Sequence, residues 1–163
     1  MDDYFKVIRA KTSLLFAASS ALGALISHSS DPIKKGLYEY GLHLGNAFQL
    51  IDDALDYCSD AQTIGKNIGD DLADGKATLP LLHALKHGTD AQQSLIKQSL
   101  QEGSLHHLPA ILDAIQTTQA IEYTKQIAAA EVDCALTALS VLPDSIYKKA
   151  LQDLAHYAIQ RDH

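Results

Sequence analysis

Phe48-Gln49-Leu50-Ile51-Asp52-Asp53-Ala54-Leu55-Asp56-Tyr57 sets three carboxylates into a segment that is otherwise almost wholly apolar. Read as a helix, the segment places Asp52 and Asp56 one turn apart on one side, with Asp53 about 100° round from Asp52. The same side runs back through Gln49, Gly45 and Gly41. Two positions without side chains, an amide and two carboxylates therefore fall within roughly 80° of arc. The glycines are expected to leave room beside the acids.

Around the same wheel, Leu37, Leu44, Phe48, Ile51 and Leu55 form one apolar stripe, and Leu50, Ala47, Ala54 and Tyr57 cover much of the remainder. A helix apolar nearly all round belongs in the middle of a bundle. The acid row is then expected to face a cavity between helices, where ionised carboxylates are too costly to leave without a metal ion or a basic group. A solvated polar face that happens to carry aspartates is the plainer alternative, and the apolar remainder of the wheel argues against it.

The rest of the chain bounds what such a site can serve. Its 163 residues, 47% of them hydrophobic, suit a single all-α domain over 1–163 with a real core. Acids outnumber Lys plus Arg by 20 to 13, and the net charge of −7 disfavours nucleic acid as a partner. No apolar run approaches the roughly 18 residues of a transmembrane segment. Asp2 and Asp3 after Met1 are the opposite of a secretory n-region, so the expected location is cytoplasmic. Cys58 and Cys134 lack metal-type spacing and are expected to remain thiols. His83 and His87 stand at i and i+4, but no neighbouring carboxylate or thiol completes a metal set, and a polar helix end is the preferred reading. The His106-His107 pair points two ways on a helix and is weaker still.

Period-two alternation is absent while Ala and Leu are abundant, which predicts an all-helical fold. A first helix is expected from about Asp3 to Ser27, carrying Phe5, Ile8, Leu15 and Leu22 on one repeat. Ser30-Asp31-Pro32 supplies a cap and a first-turn proline for the aspartate-bearing helix, which is expected to run to about Cys58. Between Ser59 and Thr78 the pattern gives way to a polar loop with Gly65, Lys66, Gly69, Gly75 and Lys76, and loops of that length in a compact domain are usually functional or disordered. Helices are then expected from Thr78 to Lys86, from Thr89-Asp90 to Gln101, from Leu105 to Thr118, from Gln119 to Val141 and from Asp144 to Gln160, with Pro143 separating the last two.

Magnesium prefers octahedral oxygen coordination and keeps several waters, so proteins hold it with one or two carboxylates and let substrate phosphates complete the shell. The DDxxD spacing of Asp52, Asp53 and Asp56 meets that need, although Asp-rich helices are common enough to make the motif only moderately specific alone. Lys66 and Lys76 bracket the glycine loop. Lys11-Thr12 offers an ammonium and a hydroxyl amid Ile8, Leu15 and Phe16, on the side of the first helix expected to be buried. A loop lysine is more often simply solvated. Carboxylate-bound cations together with two or three lysines nevertheless make a site for a polyanion such as a diphosphate.

Four stretches in order, Lys11-Thr12-Ser13-Leu14-Leu15-Phe16, Gly41 through Tyr57, Gly65 through Leu72 and Gly75-Lys76-Ala77-Thr78-Leu79-Pro80, resemble the trans-type polyprenyl diphosphate synthases, and within them the long-chain, octaprenyl-type branch. The closing Tyr157-Ala158-Ile159-Gln160-Arg161-Asp162-His163 resembles the family's C-terminal end. The resemblance implies an all-α isoprenoid-synthase bundle that binds an allylic diphosphate and isopentenyl diphosphate with Mg2+. It assigns Asp52, Asp53 and Asp56 to the family's second aspartate-rich metal motif, with Asp52 and Asp56 as direct ligands. Lys11, Thr12, Gln49, Lys66 and Lys76 match positions that support or bind the diphosphate.

The resemblance covers almost the whole chain, yet only the C-terminal half of a typical member. The first aspartate-rich motif has no counterpart here, because Lys6 and Val7 stand where an acid should follow Asp2-Asp3. A bundle lacking half its helices is expected to expose apolar surface and to associate, either as a homo-oligomer or with the missing N-terminal half. The expected chain is therefore a prenyltransferase portion, inactive alone. The alternatives are a non-catalytic binding or regulatory subunit that completes another polypeptide, and a terpene cyclase-like protein of the same fold. The glycine-lysine loop argues for chain elongation over cyclisation.

Overall fold

The computed structural model describes residues 1–58 and 68–161. Among these the regular structure is entirely helical: α1 Asp2–Ile8, a π-helical turn Arg9–Ser13, α2 Leu14–Ile26, α3 Asp31–Leu55, then helices Asp70–Ala73, Leu79–His87, Asp90–Glu102, Leu108–Thr117, Ala120–Ala138 and Ile146–Ile159, with a 3-10 turn at Leu139–Val141. The all-α expectation therefore holds for every described element. By contacts the chain divides into two compact units, Asp52–Gln126 and Asp2–Ile51 with Ile127–Arg161. The division falls inside α3, between Ile51 and Asp52.

In the second unit, Tyr40, Leu44 and Ala47 of α3 meet Val132, Ala135, Leu139, Ala155 and Ala158 in one buried cluster. Each large aliphatic or aromatic side chain in such a cluster contributes about 1.5–3 kcal/mol by leaving water. The Tyr40 hydroxyl donates to the Leu151 carbonyl at 2.9 Å, and burial pushes its pKa up to about 12.

The glycine row of α3 serves packing, which corrects the expectation of open room beside the acids. A Cβ on Gly41 would stand 2.4 Å from the Phe16 carbonyl oxygen, and one on Gly45 would stand 2.6 Å from Ser13 Cα. Backbone fills the space that the missing side chains leave. Only glycine permits so close an approach of two helices.

The first helix departs from its expected face for a definable reason. Of the stripe Phe5, Ile8, Leu15 and Leu22, only Ile8 is buried, while Leu15 is 71% and Leu22 54% exposed. The π turn at Arg9–Ser13 inserts one residue into the helical count. Beyond it the inward face passes to Ser13, Ala17 and Ala24, and the leucines rotate outward. Lys11, expected on the buried side, is exposed for the same reason.

The first unit is built on Tyr57, Leu72, Leu81, Ala84, Ile96, Ile111, Ala114, Ile115 and Ala120. Thr89 and Gln92 form the reciprocal capping box that starts the Asp90–Glu102 helix. α3 ends at Leu55 and not at Cys58, because Tyr57 N and Cys58 N bond to the carbonyls three residues back, of Ala54 and Leu55. Within the expected Ser59–Thr78 loop, Asp70–Ala73 is a short helix entered through Gly69 at φ 84°. Residues 59–67 of that loop lie outside the described residues.

Candidate active site

Asp53 is fully buried, and its Oδ1 receives the Lys76 ammonium at 2.8 Å. The same ammonium lies 2.9 Å from Asp71 Oδ2. Burial alone would lower the Lys76 pKa, but the hydrogen bonds and charges of Asp53 and Asp71 outweigh it and hold the group above its ordinary value. Lys76 is thus a fixed cation.

Asp56 occupies the tightened turn after α3, where its Oδ2 accepts the Asp71 backbone N–H at 3.2 Å. Burial and then the neighbouring Asp71 charge push the Asp56 pKa up to about 6, against the lowering influence of that backbone bond. Asp71 is likewise raised, first by burial, with Asp53 and Asp52 adding repulsion against the pull of Lys76. Asp53 and Asp71 share the one ammonium, and Asp56 and Asp52 add negative charge around Asp71. Such crowding is the donor chemistry that a hard divalent cation relieves. Among the described residues no three His, Cys, Asp or Glu side chains already converge as a ready-made metal cage. A cavity of about 570 Å³ in the same unit is lined by Tyr57, Ile68, Leu112, Ile115, Gln119 and Lys125 among others, and none of the four acids borders it.

Asp71 is the residue that sequence reasoning missed. Its signal was present: an acid five positions before Lys76, in a loop that returns to the end of α3. Without coordinates, nothing separates it from Asp70 or Asp74, both of which are exposed.

In the second unit the π turn brings Thr12 against α3, and its hydroxyl donates to Gln49 Oε1 at 2.8 Å. Lys11, one residue earlier, projects from the same turn and is exposed. Lys66 lies outside the described residues. The rings of His83 and His87 lie tilted with centroids 4.4 Å apart at the end of the Leu79–His87 helix, and His83 stacks on Tyr123 at 4.1 Å. Neither Cys58 nor Cys134 is disulfide-bonded. No helix of the described residues is long and apolar enough to cross a membrane.

The family model for polyprenyl synthetases matches residues 1–116. Octaprenyl diphosphate synthase of Escherichia coli (strain K12) is 46% identical over 162 residues, which is 99% of this chain and 50% of that protein. The all-trans-nonaprenyl-diphosphate synthase (geranyl-diphosphate specific) of Rhodobacter capsulatus is 42% identical over 98% of this chain and 49% of its own length. A polyprenyl synthase from Caulobacter crescentus CB15, solved with calcium and isoprenyl diphosphate, superposes with a TM-score of 0.90 at 37% identity over 98% of this chain and 49% of its own. The chain spans about half the length of the curated relatives it matches, on their C-terminal side. By these matches, and by the helical fold and motif order that underlie them, the chain belongs to the polyprenyl synthetase family.

Proposed function

We propose that this chain is the C-terminal part of a trans-prenyltransferase that elongates an allylic diphosphate with isopentenyl diphosphate, and that it is inactive without an N-terminal part. The carrying observation is that Lys76 is shared by Asp53 and Asp71 while Asp56 and Asp52 add charge around Asp71, an excess of negative charge that a divalent cation would relieve. In this reading Asp52 and Asp56 hold Mg2+. Asp53, buried against Lys76, acts by orienting that ammonium. Lys11, Thr12, Gln49, Lys66 and Lys76 support or bind the diphosphate, and Asp71 shares the Lys76 ammonium with Asp53.

When bound, Mg2+ supplies charge neutralisation for the departing diphosphate. The chain's own groups supply the rest. The ammonium groups of Lys11, Lys66 and Lys76 stabilise negative charge as the allylic C–O bond breaks, and Lys76, held by Asp53 and Asp71, needs little reorganisation at that moment. The Thr12 hydroxyl donates to Gln49 Oε1 and so orients the Gln49 amide, whose amino group is the proposed donor to the phosphate oxygens. The isopentenyl double bond then attacks the allylic carbon, and loss of a proton to a basic oxygen restores an alkene. A cytoplasmic location and a single larger isoprenoid-synthase domain, of which both units are parts, belong to the same proposal.

The proposed partner is the family's N-terminal half. Val7, Leu14, Leu15, Leu22, Leu25 and Ile26 are exposed apolar side chains on the helical run Asp2–Ile26, and Tyr147, Leu154 and Tyr157 are exposed on the Ile146–Ile159 helix. Patches of that kind mark interaction surfaces.

Titration calorimetry with inorganic pyrophosphate tests the site. The wild-type chain is expected to bind it only with Mg2+ present. The Asp52→Asn/Asp56→Asn variant is expected to lose at least about tenfold in affinity, the loss of a charge-assisted ligand set. Equal affinity without Mg2+, or in that variant, contradicts the reading.

A further inference from the structure

We propose that Asn46 is a positioning residue for Lys11 and Thr12: a one-directional chain of hydrogen bonds from Glu131 through Asn46 to Ser13 locks the π turn that presents them. The proposal rests on the reading of Lys11 and Thr12 as diphosphate-binding groups.

The π turn Arg9–Ser13 interrupts what is otherwise one α-helical run from Asp2 to Ile26. Such turns are rare, occur mostly as single-turn bulges inside α-helices and are frequent at functional sites. Here the turn is supported by α3. The Ser13 hydroxyl donates to Asn46 Oδ1 at 2.7 Å, with the Ile8 carbonyl a weaker second acceptor at 3.4 Å. Asn46 Nδ2 donates to Glu131 Oε2 at 2.9 Å, and His43 Nδ1 stands 2.6 Å from the same oxygen. Ser13 and Asn46 have no solvent exposure.

The sense of this chain is fixed by chemistry. An ionised carboxylate only accepts. Burial would raise the Glu131 pKa, but its bonds from His43 and Asn46, with the charges of His43 and Arg9, hold it below the ordinary value, so it is ionised. The Asn46 amino group must therefore face Glu131, its carbonyl must face Ser13, and the Ser13 hydroxyl must donate. Reversing any one link would set two donors or two acceptors against each other. Buried networks satisfied in a single arrangement specify one geometry.

That geometry lands on the functional turn. Gly45 lets α3 approach until a Cβ there would be 2.6 Å from Ser13 Cα, and Thr12 is bonded to Gln49, three residues beyond Asn46 on α3. Consecutive residues of the π turn are thus clamped by polar groups one helical turn apart on α3. Lys11 is carried by the same turn. Ser13 and Asn46 do not face solvent, so their role is exercised through Thr12 and Lys11.

The test uses the chain as it is, with two variants. Ser13→Ala/Asn46→Leu replaces both partners by apolar groups of similar size and so preserves packing. Asn46→Asp keeps the shape and removes the donor. Amide hydrogen exchange is read at Lys11, Thr12 and Ser13, alongside Mg2+-dependent affinity for inorganic pyrophosphate, with Lys11→Ala as reference. The expected result is exchange at 11–13 faster by about tenfold in both variants, with the Leu79–His87 helix unchanged, and pyrophosphate affinity reduced at least half as much, on a logarithmic scale, as by Lys11→Ala. A merely structural role would raise exchange throughout the unit instead. Unchanged exchange at 11–13 in a folded variant overturns the clamp. An affinity within about twofold of wild type, less than 0.5 kcal/mol by RT ln K, overturns the positioning role when Lys11→Ala is impaired. A Lys11→Ala variant that binds normally overturns the diphosphate reading of the turn and the positioning role with it, and leaves exchange to decide the clamp.

Discussion

The ammonium of Lys76 sits 2.8 Å from the carboxylate of Asp53, a side chain with no solvent exposure. Removing one partner of a buried ion pair strands the other in low dielectric, where water cannot replace it. Lys76→Met is therefore expected to destabilise the chain by about 3 kcal/mol, and Lys76→Met/Asp53→Leu to recover most of that loss. Urea denaturation of the three proteins measures it. A single variant within about 1 kcal/mol of wild type would show that the pair is solvated.

Asp56 has the opposite thermodynamic sign. Its folded pKa of about 6 lies above its ordinary value of 3.8, so the folded chain binds the proton more tightly than the unfolded chain. The contribution of this group is unpenalised below the lower value and becomes unfavourable as pH rises through about 6. Without added metal, Asp56→Asn keeps an acceptor for the Asp71 N–H and is expected to melt above wild type at pH 7, with the advantage vanishing near pH 4. Thermal melts at the two pH values provide the measurement.

Two glycines separate packing from propensity. Gly23 has nothing within 4 Å of where a Cβ would stand, while a Cβ on Gly41 would clash with the Phe16 carbonyl oxygen. Gly23→Ala should stabilise by about 0.5–1 kcal/mol through backbone entropy alone. Gly41→Ala should destabilise by about 1–3 kcal/mol, because the clash is with backbone that cannot rotate away. Denaturation midpoints of the pair decide whether the α3 glycines are packing residues.

Leu15 distinguishes a solvent residue from an interface residue. At 71% exposure, Leu15→Gln is expected to change the stability of the isolated chain by less than about 0.5 kcal/mol. Its recovery in a complex with an N-terminal half should fall severalfold. A large loss of stability in the isolated chain would mean that Leu15 is packed within it.

These contrasts also mark how far the sequence could be read. Helical class, the cap at Thr89 and the first-turn proline Pro80 follow from local rules of period and capping, which act within a few residues. The π turn was not legible. A one-residue insertion leaves no local signature in Arg9-Ala10-Lys11-Thr12-Ser13, and it is stabilised by Asn46 and Glu131, far away in the chain. Every face assignment beyond Ser13 shifted with it, which is why Leu15 and Leu22 turned outward. The glycines at 41 and 45 were visible as small positions, but sequence cannot distinguish space kept for a ligand from space filled by another backbone. Asp71 stayed hidden among neighbouring acids because its partner, Asp56, is brought to it by the return of the chain and not by spacing on one helix.

The most direct test of the central claim is complementation. This chain, the N-terminal half of a polyprenyl synthase relative, and the two together are assayed for incorporation of labelled isopentenyl diphosphate into an allylic diphosphate with Mg2+. Sustained elongation by the pair, absent from either half and lost when Asp52→Asn/Asp56→Asn replaces the wild-type chain, is the predicted result. Elongation by this chain alone, or a stable but inactive complex of the two halves, would contradict the account.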